Sequence, residues 1–202
     1  MQLRFYNSLK YSTFTLTILL SIFLFSAHLH AQGWEWQNPL PQGNDLEQIF
    51  FVDSSHGWIT AGCNLLRTTD GGENWSLEYI GNIYSANRIH FVDQSHGWLI
   101  GSKDYYGIMA KTNDGGKNWE EFSIPNELFT SNLLDIFFAD SLHGYVVNSS
   151  GRIYYTENGG ESWQRQFFIL DRRDLESIFF SDSLKGWAAG YTPLYRTTNA
   201  GE

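Results

Sequence analysis

The chain has 202 residues and a formal net charge of -9, with 17% aromatic residues, 19 Gly and only 4 Pro. That acidity argues against nucleic acid and against an anionic membrane surface, since both recruit basic faces. A single cysteine, Cys63, excludes an internal disulfide, so packing must hold the fold together.

Arg4 and Lys10 precede an apolar run from Phe14 to Phe25. A run of about twelve residues is short for a bilayer span and suits the apolar region of a secretory signal peptide. Ala31 supplies a small residue before Gln32, so cleavage is expected after Ala31. Residues 1–31 are therefore set aside as a leader. The expected product is secreted, periplasmic or on the cell surface, and is not an integral membrane protein. Further along, Cys63 lies in a strand-like segment and reads as a small buried hydrophobe, with no basic cluster nearby to activate a thiol.

From Ile49 onward the chain repeats itself. Ile49-Phe50-Phe51-Val52-Asp53 recurs as Ile89-His90-Phe91-Val92-Asp93, as Ile136-Phe137-Phe138-Ala139-Asp140 and as Ile178-Phe179-Phe180-Ser181-Asp182. Each copy runs into a turn and a new strand: His56-Gly57-Trp58, His96-Gly97-Trp98, His143-Gly144-Tyr145 and Lys185-Gly186-Trp187. The aspartates are spaced by 40, 47 and 42 residues. A period in the forties with short strands is the mark of propeller blades.

A second motif follows in phase. Thr68-Thr69-Asp70-Gly71-Gly72-Glu73-Asn74-Trp75 is its first copy and Thr112-Asn113-Asp114-Gly115-Gly116-Lys117-Asn118-Trp119 its second. Thr156-Glu157-Asn158-Gly159-Gly160-Glu161-Ser162-Trp163 is the third, and Thr197-Thr198-Asn199-Ala200-Gly201 is a partial fourth. An Asp or Asn oxygen at the third position can accept backbone N–H groups two residues on. Glycine supplies the left-handed backbone of a tight hairpin, and the tryptophan covers it. Asn in the later copies keeps the acceptor and drops the charge, which favours hydrogen bonding over a cationic ligand.

Each unit is thus expected to be four antiparallel strands, A to D, making an all-β propeller with about four blades in residues 33–202. Ile49 and Phe51 alternate on strand A and are expected on one buried face. Strand B begins near Trp58, strand C covers Leu65 to Thr69, and strand D begins at Trp75. Trp34 to Phe51 aligns without gaps on Trp163 to Phe180, so the mature chain is expected to open on a lone strand D. Two architectures fit: closure into a four-bladed ring, or part of a larger, seven-bladed ring. The second is preferred because the last box breaks off mid-turn.

The Asp-boxes resemble those of sialidase-like propellers. Together with the Ile-x-Phe-x-Asp strand and the His-Gly-Trp turn, they resemble the photosystem II stability/assembly factor family. The signal peptide and Trp36-Gln37-Asn38-Pro39 suggest a secreted bacterial version. The resemblance covers residues 33–202. It implies a non-catalytic scaffold that binds a protein partner, with glycan binding or sialidase- or xyloglucanase-like hydrolysis as the alternative.

No catalytic, metal or cofactor site is expected. His56, His96 and His143 sit on different blades and cannot converge on one tetrahedral ion. The sialidase Arg-Ile-Pro motif is absent, since Arg88-Ile89 runs into His90 and Arg152-Ile153 into Tyr154. Asp45, Asp104, Asp135, Asp171 and Asp174 are the non-repeating acids that a two-carboxylate hydrolase would need. The A–B and C–D turns should share one face of the array. The irregular B–C and D–A loops should share the other. The Ser102 to Gly107 loop is the longest B–C connection. Lys103, Tyr105 and Tyr106 there, with Arg88, Arg172, Arg173 and Tyr84 on D–A loops, are candidate partner-binding residues because Tyr and Arg often anchor interfaces.

Overall fold

The computed structural model describes residues 45–81, 83, 85–103, 106–122, 132–168, 174–191 and 194–202. They fall within one compact unit, Pro39–Glu202. The expected leader, residues 1–31, lies outside them.

All regular elements among the described residues are strands. The first sheet holds β1 (Gln48–Phe51), β2 (Gly57–Ala61), β3 (Asn64–Thr68) and β4 (Ser76–Tyr79). The second holds β5 (Ser85–Phe91), β6 (Gly97–Lys103), β7 (Tyr106–Thr112) and β8 (Glu120–Phe122). The third holds β9 (Leu133–Phe138), β10 (Gly144–Asn148), β11 (Arg152–Thr156) and β12 (Gln164–Phe168). A fourth has only three strands, β13 (Leu175–Phe180), β14 (Gly186–Gly190) and β15 (Leu194–Thr197). Every sheet is an antiparallel meander in chain order, the form of a propeller blade. The A strands β1, β5, β9 and β13 lie next to one another from blade to blade.

Register places the strand-A phenylalanine opposite the first residue of strand B: Phe51↔Gly57, Phe91↔Gly97, Phe138↔Gly144 and Phe180↔Gly186. The ring folds flat over that glycine. A Cβ on Gly57 or Gly186 would stand 2.6 Å from the Phe51 or Phe180 ring, which explains glycine in the His-Gly-Trp motif.

The cores lie between blades. Trp58 and Leu65 of the first blade pack with Ile89 and Phe91 of the second. Trp98, Ile100 and Met109 of the second pack with Ile136 and Phe138 of the third. Tyr145 and Val147 of the third pack with Ile178, Phe180 and Ala188 of the fourth. Each strand-A Ile/Phe face is thus buried by the blade before it. This corrects the reading of Ile49 and Phe51, which are 60% and 39% exposed because no earlier blade stands against them among the described residues. The opposite faces of the A strands carry an aromatic row. Ring centroids run from Phe50 to His90 at 5.1 Å, from His90 to Phe137 at 4.9 Å, and from Phe137 to Phe179 at 5.7 Å.

Candidate functional site

The turn face is built from two repeated devices. In each A–B turn the strand-end aspartate caps the backbone. Asp53 Oδ1 accepts the N–H groups of Ser55 and His56, both at 2.7 Å, and Asp93 does the same for Ser95 and His96. The histidine then folds back. His56, His96 and His143 Nδ1 stand 3.0, 2.8 and 2.8 Å from Asp53, Asp93 and Asp140. Lys185 pairs with Asp182 at 3.4 Å in the fourth slot. These imidazoles are held by their own turns. The N–H groups accepted from Ser55 and His56 hold the Asp53 carboxyl below the usual carboxylate range.

The Asp-box is the second device, and its most deeply buried side chain is the threonine. Thr68, Thr112 and Thr156 are all 1% exposed. Their Oγ1 atoms accept the N–H groups of Gly72, Gly116 and Gly160 at 2.9 Å. Each hydroxyl also donates to the box acid or amide: Asp70 at 2.8 Å, Asp114 at 2.8 Å and Asn158 at 2.9 Å. The acid reaches four residues ahead, not two as the turn chemistry alone suggested. Asp70 and Asp114 accept from Asn74 and Asn118 N–H at 2.9 Å, and Asn158 accepts from Ser162 N–H at 3.0 Å. Backbone and side-chain N–H groups of Asn74 lead the causes that lower the Asp70 carboxyl to about 2. The fourth box repeats the pattern through Thr197, Asn199 and Gly201. The doubled glycines adopt left-handed backbone, for example Gly115 at φ 74° and Gly116 at φ 89°. Ala200 stands at the first of these positions with φ 59°, the one non-glycine residue with positive φ among the described residues. The box tryptophans Trp75, Trp119 and Trp163 meet Phe51, Phe91 and Phe138 edge-on at 6.1, 6.2 and 6.0 Å.

The two devices are tied within and between blades. Within a blade, box N–H groups reach the A–B turn: Gly71 to Ser55 O, Gly115 to Ser95 O, Gly159 to Leu142 O and Ala200 to Leu184 O. Between blades, Trp58 Nε1 donates to Gly115 O at 2.9 Å and Trp98 Nε1 to Gly159 O at 2.8 Å. Tyr145 Oη donates to Ala200 O at 3.1 Å. The same three rings stack on the next blade's phenylalanine: Phe91 at 3.5 Å, Phe138 at 3.7 Å and Phe180 at 4.1 Å. The aromatic of His-Gly-Trp is therefore a latch on the following Asp-box. Its signal was the constant aromatic after the glycine. Its acceptor, 57 or 61 residues downstream, was not readable.

The loop face is less regular. Arg88 lies within β5 and not in a D–A loop; it is half-buried, and its Nη1 donates to Asn87 O at 2.9 Å. Asp135, one of the non-repeating acids, serves packing: Oδ2 accepts Ile178 N–H at 2.9 Å and Ser177 Oγ at 3.0 Å across to the next blade. Burial raises its carboxyl pKa against these bonds. Gln48 Oε1 makes the matching inter-blade bond to Ile89 N–H at 2.6 Å. Lys103 pairs with Glu121 at 3.0 Å. The long B–C connection is an extended hairpin in which Lys103 pairs with Tyr106, so the extra length lies in β6 and β7. Cys63 sits half-buried in the B–C turn of the first blade, not within a strand. Asp45 and Asp174 are exposed. Tyr84, Asp104, Tyr105, Asp171, Arg172 and Arg173 lie outside the described residues. So the structure brings the box residues together with the A–B turns, and it sets Arg88 beside Asp135 on the inner strands.

Comparison with known proteins shows what the chain is similar to. The family described as "Photosynthesis system II assembly factor YCF48" matches residues 124–202. The chain is 29% identical over 170 residues to the photosystem II stability/assembly factor HCF136 of Arabidopsis thaliana, covering 78% of this chain and 41% of that one. It is 30% identical over 126 residues to the photosystem II assembly lipoprotein Ycf48 of a Synechococcus strain, covering 61% of this chain and 37% of that one. The chain thus spans well under half the length of these curated relatives. Among solved structures, YCF48 from Cyanidioschyzon merolae superposes with a TM-score of 0.64 at 16% identity, over 79% of this chain and 52% of that one. YCF48 bound to D1 peptide gives 0.60 at 22%, over 79% and 58%. An ancestral GH74 enzyme gives 0.62 at 17%, over 85% and 25%. At these identities the structural likenesses establish the propeller fold alone.

Proposed function

We propose that this chain, a propeller of the photosystem II assembly factor-like family, is a non-catalytic scaffold that binds a polypeptide through its B–C and D–A loop face. One observation carries the reading. On the turn face, the repeated carboxylates, amides and hydroxyls are already committed to hairpins and to the A–B turns. Their oxygens accept local N–H groups and are poorly placed to serve a ligand. Variation between blades is concentrated on the opposite face. The relatives are assembly factors, and one solved YCF48 carries a D1 peptide, which supports a protein as the class of partner.

A D1 peptide is the first probe, measured by surface plasmon resonance. Replacing Tyr105, Tyr106, Arg172 and Arg173 together by alanine should weaken capture by about tenfold or more with an unchanged melting curve. Equal binding by wild type and variant would reject this face. Export is part of the proposal: the N-terminus of the exported protein should begin at Gln32, and a retained leader in the cell pellet would refute it. Turnover of chromogenic glycosides by the purified protein would overturn the non-catalytic reading.

A further inference from the structure

The third Asp-box holds a reactive pair that the other boxes lack. Its third and fourth residues are Asn158-Gly159, the one Asn-Gly step in the sequence. The first two boxes have Asp70-Gly71 and Asp114-Gly115 there, and the fourth has Asn199-Ala200. An asparagine followed by glycine is prone to lose its side-chain amide. The next backbone nitrogen can close a five-membered ring on Cγ, and glycine has no Cβ to hinder it. In the first two boxes Cγ belongs to a carboxylate, with Asp70 lowered to about 2, and an anion resists attack by nitrogen. In the fourth a methyl group stands next to the nucleophile. The third alone joins an uncharged electrophile to a bare glycine nitrogen.

The fold keeps the two partners apart. Asn158 is exposed and Gly159 is buried. Gly159 N–H donates to Leu142 O at 2.8 Å, which holds the nitrogen against the A–B turn. The side-chain amide is held elsewhere. Its Oδ1 accepts the Thr156 hydroxyl at 2.9 Å and Ser162 N–H at 3.0 Å, and its Nδ2 donates to Ser162 Oγ at 2.9 Å. Ring closure needs the Gly159 nitrogen stripped of its proton and turned onto Cγ. The closed box offers neither, whereas local opening of the hairpin offers both.

We propose that Asn158 is a site of spontaneous deamidation, gated by opening of the bond from Gly159 N–H to Leu142 O, and that its two products act oppositely on the array. Base takes the Gly159 amide proton, and the nitrogen forms a bond to Asn158 Cγ. The Cγ–Nδ2 bond breaks, and ammonia leaves with a proton from water, giving a succinimide. Water then opens the ring. Hydrolysis at Cγ restores the ordinary backbone and leaves aspartate, the residue that stands in the first two boxes. Hydrolysis at the backbone carbonyl carbon leaves isoaspartate, which routes the chain through an added methylene. That displaces Gly159 and Gly160, drawing Gly160 N–H from Thr156 and Gly159 O from the Trp98 latch. One product is a box like its neighbours, and the other unclasps the second blade from the third.

The full chain is incubated in mildly alkaline buffer, folded or in urea. The tryptic peptide of residues 153–165 is followed by mass spectrometry, with chromatography separating aspartyl from isoaspartyl forms. Conversion at Asn158 is expected to be about tenfold or more slower in the folded chain. Equal rates would overturn the gate, and faster conversion in urea at Asn148 or Asn199 would overturn the site. Thr156→Val, which frees the amide and Gly160 N–H, should move the folded rate toward the urea rate. Asn158→Asp, the normal product, should melt as the wild type does, and a clearly lower melting temperature would overturn its benign role. After refolding of aged protein, isoaspartyl chains should collect in the protease-sensitive fraction. Their even division between sensitive and resistant fractions would overturn the effect on the latch.

Discussion

The turn face and the loop face of this array are built from the same strands, yet they differ in how their polar groups are used. On the turn face the first three Asp-boxes repeat one arrangement to within about a tenth of an ångström, with Gly72, Gly116 and Gly160 N–H all 2.9 Å from their threonine Oγ1. Within the A strands, toward the ends nearer the loop face, the equivalent positions change chemistry from blade to blade: Gln48, Arg88, Asp135 and Ser177. Two of these accept a neighbour's backbone N–H, and Arg88 cannot. A face that repeats is under one structural constraint. A face that varies is free to be shaped by what it meets.

The largest break in this contrast should come from the latch. Trp98→Ala removes a stack on Phe138 and a bond to Gly159 O, and should cost about 3–5 kcal/mol in urea unfolding. A value near zero would mean that the latch is incidental. Thr112→Val should come next, at about 1–3 kcal/mol, because the buried Gly116 N–H loses its acceptor. Asp114→Asn should cost far less than Thr112→Val in the same assay, since the third and fourth boxes already use Asn.

The inner aromatic row provides a pH test. Burial lowers the His90 imidazole to about 4, partly offset by its bond to Phe138 O. The unfolded chain takes up that proton near pH 6.5 and the folded chain only near 4. Stability from this group is therefore complete above pH 6.5 and falls as pH drops toward 4, by up to about 1.4 kcal/mol per pH unit. His90→Phe, which copies Phe50, Phe137 and Phe179, should flatten that part of the profile. An unchanged slope would show that another group sets it. Smaller is Ala200→Gly, which relieves a positive φ and should stabilise by about 0.5–1 kcal/mol, read as a raised melting temperature. Against all of these, Lys103→Ala on the loop face should change stability by less than about 0.5 kcal/mol while altering peptide capture.

The blades, their strand order and the sharing of one face by A–B and C–D turns were legible because period, turn residues and aromatic spacing are local signals. The box residues were legible for the same reason. What they bond to was less so. The threonine looked auxiliary in sequence, but burial makes it the central acceptor. Ile49 and Phe51 carry the same pattern as Ile89 and Phe91 but a different environment, since burial depends on a neighbouring blade that no local pattern encodes. Arg88 read as a loop residue because β5 begins at Ser85, earlier than the repeat suggested. Asp135 looked like a spare acid, and only inter-blade geometry shows it holding Ile178.

The latch also has a direction. Three times over, the aromatic of an earlier blade reaches forward to the box of the next. Synthesis proceeds the same way, so when a hairpin emerges from the ribosome the ring that clasps it has already been made. The clasping ring of each pair thus precedes its box in the chain, and a defect in a late box opens one latch while the earlier ones keep both partners.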